Sequence, residues 1–165
     1  MADGVEFSLL GMDELVGKLD AVAHETKYKG GRFALRKAAQ LIRDKAKENA
    51  ARLNDPKSAE NIAANIKERW NGRLYKRTGD LGFRVGVMGG AGGTDETEKF
   101  AGLPGGDTRH WRLVEFGTSK TRAQPHMRPA LTDNLGAATD EFLRHYEKAL
   151  DRAIKKANKA KQARS

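Results

Sequence analysis

The chain has 165 residues, 31 basic and 22 acidic side chains, and a formal net charge of +9. This length suits one domain, and the absence of cysteine excludes a disulfide framework, a thiolate nucleophile and a cysteine-bound metal. No apolar run approaches the roughly 18 residues that cross a bilayer, and the start lacks a signal-peptide core, so we expect synthesis in the cytoplasm and no membrane partner.

The N-terminal third is predicted to be mainly helical. Loose alternation predicts a short strand over Val5–Leu10, and helical spacing predicts a first helix over Met12–His24. The pair Gly30-Gly31 is then expected to interrupt the helical structure. The strongest helical pattern runs over Arg32–Leu53, where a stripe of mostly small apolar residues predicts close packing against the sheet or another helix.

The middle of the chain is predicted to combine a third helix with a β-hairpin. Asn54-Asp55-Pro56 suits a turn before a helix over Ala59–Trp70. Arg73–Arg77 and Leu81–Met88 are expected to be the two strands, joined by a Thr-Gly-Asp turn. The loop that follows, about 89–108, is longer than compact domains usually carry, so we expect it to be flexible or ordered by a neighbouring subunit.

A last strand and a rigid corner are predicted next. His110–Phe116 is expected to be the strand. Gly117 can adopt the positive φ that ends a strand, Pro125 forces the residue before it towards an extended conformation, and Pro129 suits the first turn of a helix. We therefore expect the turn from the strand into the helix to be held at a fixed angle.

The final helix is predicted to begin near Arg128 and to continue past Ala157. We expect one domain over residues 1–157, followed by a basic tail over residues 158–165. The basic side chains at this end could contact DNA phosphates or an acidic protein, and a solvated helix end is an alternative of equal weight. These side chains are Lys155, Lys156, Lys159, Lys161 and Arg164.

Patterns for catalysis or cofactor binding are weak. The four histidines lie in unrelated segments without metal-ligand spacing, and no Gly-x-Ser-x-Gly elbow exists. The glycines over residues 86–93 run into acidic residues, which would repel phosphate. Glu115 could be a general base, but we favour the interpretation that it accepts hydrogen bonds from loop amides or from Arg128. We expect no enzyme, no cofactor and no metal.

The chain resembles a known family around the predicted corner. The matching motifs are Val114-Glu115-Phe116-Gly117-Thr118, Gln124-Pro125-His126-Met127-Arg128-Pro129-Ala130 and, upstream, Thr78-Gly79-Asp80-Leu81. On these motifs the chain resembles the head-tail joining proteins of tailed bacteriophages, also called neck, tail-completion or minor tail components. The departures are His126, where the family commonly has Phe, and the stretch 54–77, where it often has a short Ala-Pro turn.

The predicted elements give an α+β fold, in which a small, mainly antiparallel β-sheet is packed by a central helix and a long C-terminal helix. By resemblance, the protein is a virion structural protein, assembled in the host cytoplasm, that joins the head-completion apparatus to the tail as a ring around the DNA channel. The residues expected to form the structural corner and subunit interface are Trp111, Glu115, Phe116, Gly117, Thr118, Pro125, Met127, Arg128 and Pro129.

The expected partners follow from the same resemblance. They are further copies of the chain, with six favoured over twelve, and the neighbouring head-completion or connector and tail terminator or tail tube proteins. Genomic DNA in the channel is an open alternative. The main rival function is sequence-independent nucleic-acid binding by the basic C-terminal helix, and an enzyme is the remaining class.

Overall fold

The computed structural model describes residues 24–53, 60–89 and 102–162. The predicted strand Val5–Leu10, the helix Met12–His24 up to its last residue, most of the loop 89–108 and Arg164 lie outside the described residues. The elements within the described ranges are α1 (His24–Ala51), α2 (Ile62–Asn65), β1 (Ile66–Trp70), α3 (Gly72–Thr78), β2 (Phe83–Val87), α4 (Trp111–Phe116), α5 (Met127–Thr132) and α6 (Leu135–Gln162). This arrangement confirms the predicted α+β class, with a small antiparallel sheet and a long C-terminal helix.

The two long helices, α1 and α6, pack against each other in antiparallel order. Ala34 packs with Tyr146 and Leu150, whereas Ala38, further along α1, packs with Ala138, which lies earlier on α6. Small side chains on α1 let the helix axes approach closely and leave room for the rings on α6. The close packing expected for the Arg32–Leu53 pattern is confirmed.

The break expected at Gly30-Gly31 is wrong, because both glycines lie inside α1. A Cβ atom on Gly30 would lie 2.9 Å from the Cβ of Ala149, and one on Gly31 would lie 2.9 Å from Cδ1 of Leu81. A glycine inside a helix costs about 1 kcal/mol relative to alanine. Here the missing side chain at Gly30 is what lets α6 approach α1.

The sheet consists of β1 and β2, paired antiparallel from Ile66 opposite Val87 to Trp70 opposite Phe83. The helix expected over Ala59–Trp70 is therefore wrong beyond Asn65. Ile62, Ile66 and Trp70 are spaced by four residues, a spacing that puts side chains on one face of a helix and also on one face of a strand. In a strand, residues 66, 68 and 70 share one face, and the charged Glu68 interrupts the apolar pattern that would have indicated it.

The strand expected over Arg73–Arg77 is also wrong, because α3 covers it. The side chain of Asn71 accepts a hydrogen bond from the N–H of Leu74 at 3.3 Å and caps the start of this helix. Gly79, with φ 80°, caps its end by donating its N–H to the Tyr75 carbonyl. The Thr-Gly-Asp motif therefore lies at the end of a helix and not in a hairpin turn. The strand predicted after it is confirmed as β2.

The strand expected over His110–Phe116 is wrong as well, because these residues form the short helix α4. Trp111 and Val114, three residues apart, both pack on the main core. The long C-terminal helix is confirmed, but it begins in two parts. A turn at Asp133 and Asn134 separates α5 from α6.

The main core lies where α1, α2, the sheet and α5 meet. Its buried members are Ala46, Ala50, Ile62, Ile66, Val87 and Ala130, with Trp111 and Met127 packed beside them. Because α4 and α5 both contact this core, the segment that joins them is held against the body of the protein. The candidate site lies in that segment.

Candidate functional site: the Glu115 corner

The carboxylate of Glu115, the next-to-last residue of α4, is the centre of the corner. Its side chain is 1% exposed. One oxygen accepts hydrogen bonds from the backbone N–H groups of His126 at 2.7 Å and Met127 at 2.9 Å, and the other accepts one from Arg128 at 3.0 Å. We expected Glu115 to accept hydrogen bonds from backbone amides after the loop, and these three N–H groups are the donors.

These three amides lie at the start of α5, where helical N–H groups have no intrahelical partner. The N-cap residue, His126, makes no side-chain capping bond of its own. Glu115 supplies the cap from a different helix, and its negative charge suits the positive end of the helix dipole. Burial by itself would raise the pKa of Glu115, but the hydrogen bonds from the amides and Arg128 outweigh it, so the pKa lies below its ordinary value.

Arg128 connects the buried carboxylate to the surface. Its Nε lies 3.2 Å from a carboxylate oxygen of Glu115, and its terminal nitrogen donates to the Glu115 carbonyl at 3.0 Å. The guanidinium carbon stands 4.8 Å above the ring of Phe116, a cation–π contact. One arginine thereby fixes the end of α4 to the start of α5 while more than half of its side chain stays exposed.

His126 fills the inside of the corner. Its side chain is fully buried, and its Nδ1 lies 3.1 Å from the Glu115 carboxylate. Its Nε2 is buried with no hydrogen-bond partner among the described residues. The carbonyl of His126 accepts a bond from the Asn49 amide at 3.2 Å, which ties the corner to α1. The imidazole thus lies where the resembling family commonly has an apolar ring.

The loop from Gly117 to Gln124 is closed by its own hydrogen bonds. Gly117 has φ 76°, and a Cβ atom there would lie 2.7 Å from the backbone nitrogen of Ala123. The hydroxyl of Thr118 accepts bonds from the N–H groups of residues 120 and 121. Gln124 donates its N–H to the Val114 carbonyl at 2.8 Å. Glycine is required at 117 both by the backbone angle and by the lack of space.

Large apolar side chains stand exposed on the helices that meet here. Phe116 is 60% exposed and Leu113 is 57% exposed on α4, and Leu131 on α5 and Leu135 at the start of α6 are also exposed. We call these four residues the corner patch. Single exposed apolar residues are ordinary, whereas four large ones on three consecutive helices of one segment favour a contact surface.

The model of a protein family described as "Bacteriophage HK97-gp10, putative tail-component" matches residues 13–117. The chain belongs to this family. The match runs through α1, the sheet and α4 and ends at Gly117, so it includes Glu115 and Phe116. No curated protein and no solved structure gives a significant match. As a bacteriophage tail component, this HK97-gp10-like protein is part of the virion.

The nine residues expected at the corner divide into three groups in the structure. Trp111 and Met127 pack against the core, and Glu115 is buried. The exposed members are Phe116, Thr118, Pro125 and Arg128, whereas Gly117 and Pro129 are half-buried. All nine residues lie in α4, in α5 or in the segment between them, and the strand expected at α4 is a helix. The role of these residues as a subunit interface stays a prediction.

The sequence analysis missed two polar residues with partners inside the protein, the buried Asn65 and the half-buried Glu68. Asn65 donates its side-chain amide to the Gly106 carbonyl and the Thr108 hydroxyl, and it accepts the N–H of Gly105. Glu68 on β1 binds Arg43 of α1 at 2.7 Å. Burial opposes its ionisation, but hydrogen bonds led by that of Arg43 lower the pKa of Glu68 to about 2. No local sequence motif indicates that either residue has a partner inside the protein.

The basic end of α6 is accessible to solvent where its side chains are described. Lys155, Lys156 and Lys159 are exposed, whereas the side chain of Lys161 lies outside the described part of the structure. Within the described ranges, no group of three or more His, Asp or Glu residues could hold a metal ion. In the same ranges, no helix is long and apolar enough to cross a membrane.

Proposed function

We propose that this HK97-gp10-like protein joins the head-completion apparatus to the tail as a homo-oligomeric ring around the DNA channel. The observation that supports this role is the corner patch, an exposed apolar surface on a corner that is already rigid. Phe116 and Arg128, an aromatic residue stacked with an arginine, are of residue types that are enriched in interfaces.

Rigidity of the corner favours assembly. Association costs free energy when loops and side chains must be ordered, and the Glu115 network has ordered this surface before any partner arrives. A contact between the corner patch of one copy and a different surface of the next is heterologous, and it closes into a ring when its rotation divides a full turn. Six copies would match a tail tube and twelve a portal-type partner, and we favour six.

The test compares wild type with Phe116→Asp by light scattering and negative-stain imaging, alone and with isolated tails. We expect rings in the wild-type sample or at tail ends, and monomers with an unchanged unfolding midpoint for the variant. Lys76→Asp is the control, because Lys76 is exposed on α3 and belongs neither to the corner patch nor to the surface between α1 and α6. A wild-type protein that stays monomeric and leaves tails unchanged would overturn the joining role.

Sequence-independent nucleic-acid binding is the second candidate. The exposed Arg152, Lys155, Lys156 and Lys159 on the last turns of α6 favour it. Each phosphate contact releases counterions, so the logarithm of the affinity should fall with the logarithm of salt concentration by roughly 0.9 per contact. Affinity of the monomer for duplex DNA with a slope near four would support this candidate, and a slope near zero would exclude it.

A further inference from the structure

A basic groove lies between the first half of α1 and the last turns of α6, far along both helices from the corner. Its volume is about 450 Å³. The small residues Gly30, Ala149 and Ala153 line it, and the longer side chains Phe33, Arg152 and Lys156 flank them. A surface of this kind, apolar at its base and cationic at its edges, suits a segment that is both apolar and acidic.

The last turns of α6 also extend beyond the described part of α1. Gly30 lies opposite Ala149, and the helices are antiparallel, so the six residues from Gly30 back to His24 correspond to the six from Ala149 forward to Lys155. The remaining seven residues, Lys156–Gln162, lie beyond the point opposite His24, the first described residue of α1, over a length of about 10 Å. Near the beginning of this extension, Ile154 is 43% exposed.

The stretch of chain that immediately precedes α1 has the complementary chemistry. Residues 1–23 contain five acidic side chains and one basic side chain, for a net charge of −4. Residues 152–162 contain five basic side chains and no acidic one. Residues 1–23 also carry Leu15, Leu19 and Val22 at helical spacing. The family match begins at residue 13, so the second half of this segment belongs to the matched unit.

We propose that the groove binds the acidic N-terminal segment of the same chain, residues 1–23. The groove begins at Lys29, only five residues after the start of α1, so the segment is tethered beside its site and binds at high effective concentration. Acidic residues such as Asp13 and Glu14 pair with Arg152 and Lys156, and the apolar stripe covers Phe33 and Ile154. The basic end of the helix is then neutralised by protein and is not left for DNA.

The test is hydrogen exchange by mass spectrometry on the full chain. We expect amides within residues 10–23 to exchange at least about tenfold more slowly than in an unstructured peptide, at any protein concentration. Arg152→Glu with Lys156→Glu should abolish this protection, as should Asp13→Lys with Glu14→Lys. Combining all four changes should restore it. Arg73→Glu with Lys76→Glu, two exposed basic residues on α3, is the charge-matched control and should have no effect.

Three outcomes would overturn the proposal. Unprotected amides over residues 10–23 in the wild type would show that the segment does not bind. Protection that increases with protein concentration would assign the groove to a second copy. Protection of residues 29–33 and 149–156 that requires an added 20-base-pair duplex would assign it to DNA. Amides in the centre of α1, over residues 38–46, report whether each variant is folded.

Discussion

The Glu115 corner and the α1–α6 pair hold neighbouring helices together by opposite means. At the corner, one buried carboxylate accepts hydrogen bonds from three backbone N–H groups and from the side chain of Arg128. Between α1 and α6 the contact is made by Gly30, Ala34 and Ala38 against apolar side chains. The first region depends on a charge, and the second depends on the absence of side-chain volume.

The difference teaches what each kind of contact can specify. Hydrogen bonds weaken steeply when they are misaligned, so the carboxylate fixes the direction in which α5 leaves α4. Close packing is not directional in this way, and glycine and alanine fix how near α6 approaches α1. The two regions should therefore respond differently to substitution, to pH and to small changes in volume.

Removal of the carboxylate at the corner should have the largest effect. Glu115→Ala leaves three buried amides without an acceptor, so we expect it to lower the free energy of unfolding by about 3–4 kcal/mol. Urea denaturation at neutral pH measures this change. Glu48→Ala is the control, because Glu48 pairs with Lys45 on the exposed surface of α1 and should cost less than about 0.5 kcal/mol. Equal losses for both variants would contradict the capping role.

Acid should act on the buried carboxylates and leave the glycine contact between α1 and α6 unchanged. The folded pKa of Glu68 is about 2, below its ordinary value of 4.5, so its stabilising contribution is present above pH 4.5 and is lost as pH falls towards 2. That shift corresponds to about 3 kcal/mol. Denaturation of Glu68→Gln between pH 7 and pH 2 should show a smaller fall in stability than wild type, and parallel curves would contradict the assignment.

The neighbouring glycines of α1 offer a matched pair for the helix contact. Gly30→Ala places a methyl group against the Cβ of Ala149, which the α6 backbone holds in place, so we expect a loss of about 1–2 kcal/mol. Gly31→Ala crowds the far end of Leu81, which can rotate, and meets the Tyr146 ring at an ordinary contact distance of 3.7 Å, so gained helix propensity should stabilise the fold by about 0.5 kcal/mol. Thermal unfolding measures the stability of both variants. Adding Ala149→Gly should restore stability to Gly30→Ala and should not improve Gly31→Ala.

Replacement of the imidazole at the corner should have the smallest effect. His126→Phe keeps a buried ring, removes the unpartnered Nε2 and loses one contact to Glu115, so opposing changes should leave stability within about 1 kcal/mol of wild type. Chemical denaturation tests this expectation. A loss as large as that of Glu115→Ala would show that the ring, and not the backbone amides, is the main partner of the carboxylate.

Sequence reasoning succeeded where a pattern was long or its residues were conformationally special. The stripe over Arg32–Leu53 and the C-terminal pattern each span several helical turns, so a period near 3.6 was clear in both. The corner was found because Gly117, Pro125 and Pro129 restrict the backbone whatever surrounds them. Those constraints act locally, and for that reason they can be read from the chain.

Short segments and distant partners defeated it. In α3 and α4, six or seven residues fit a strand or a helix equally well, and only the caps at Asn71 and Gly79 decide for α3. Glu68 is paired by Arg43, 25 residues away, and Asn65 binds residues about 40 positions later. A polar residue with so distant a partner looks like an ordinary surface residue until the fold is known.

Asn65 has one more consequence, for the length of the chain that it brackets. Its carbonyl accepts the N–H of Met88 at 2.8 Å, and its side chain accepts the N–H of Gly105 at 2.9 Å, so one residue closes the base of everything between them. Met88 and Gly105 are therefore fixed by one and the same residue, and an insertion anywhere between them should leave both of these bonds to Asn65 in place.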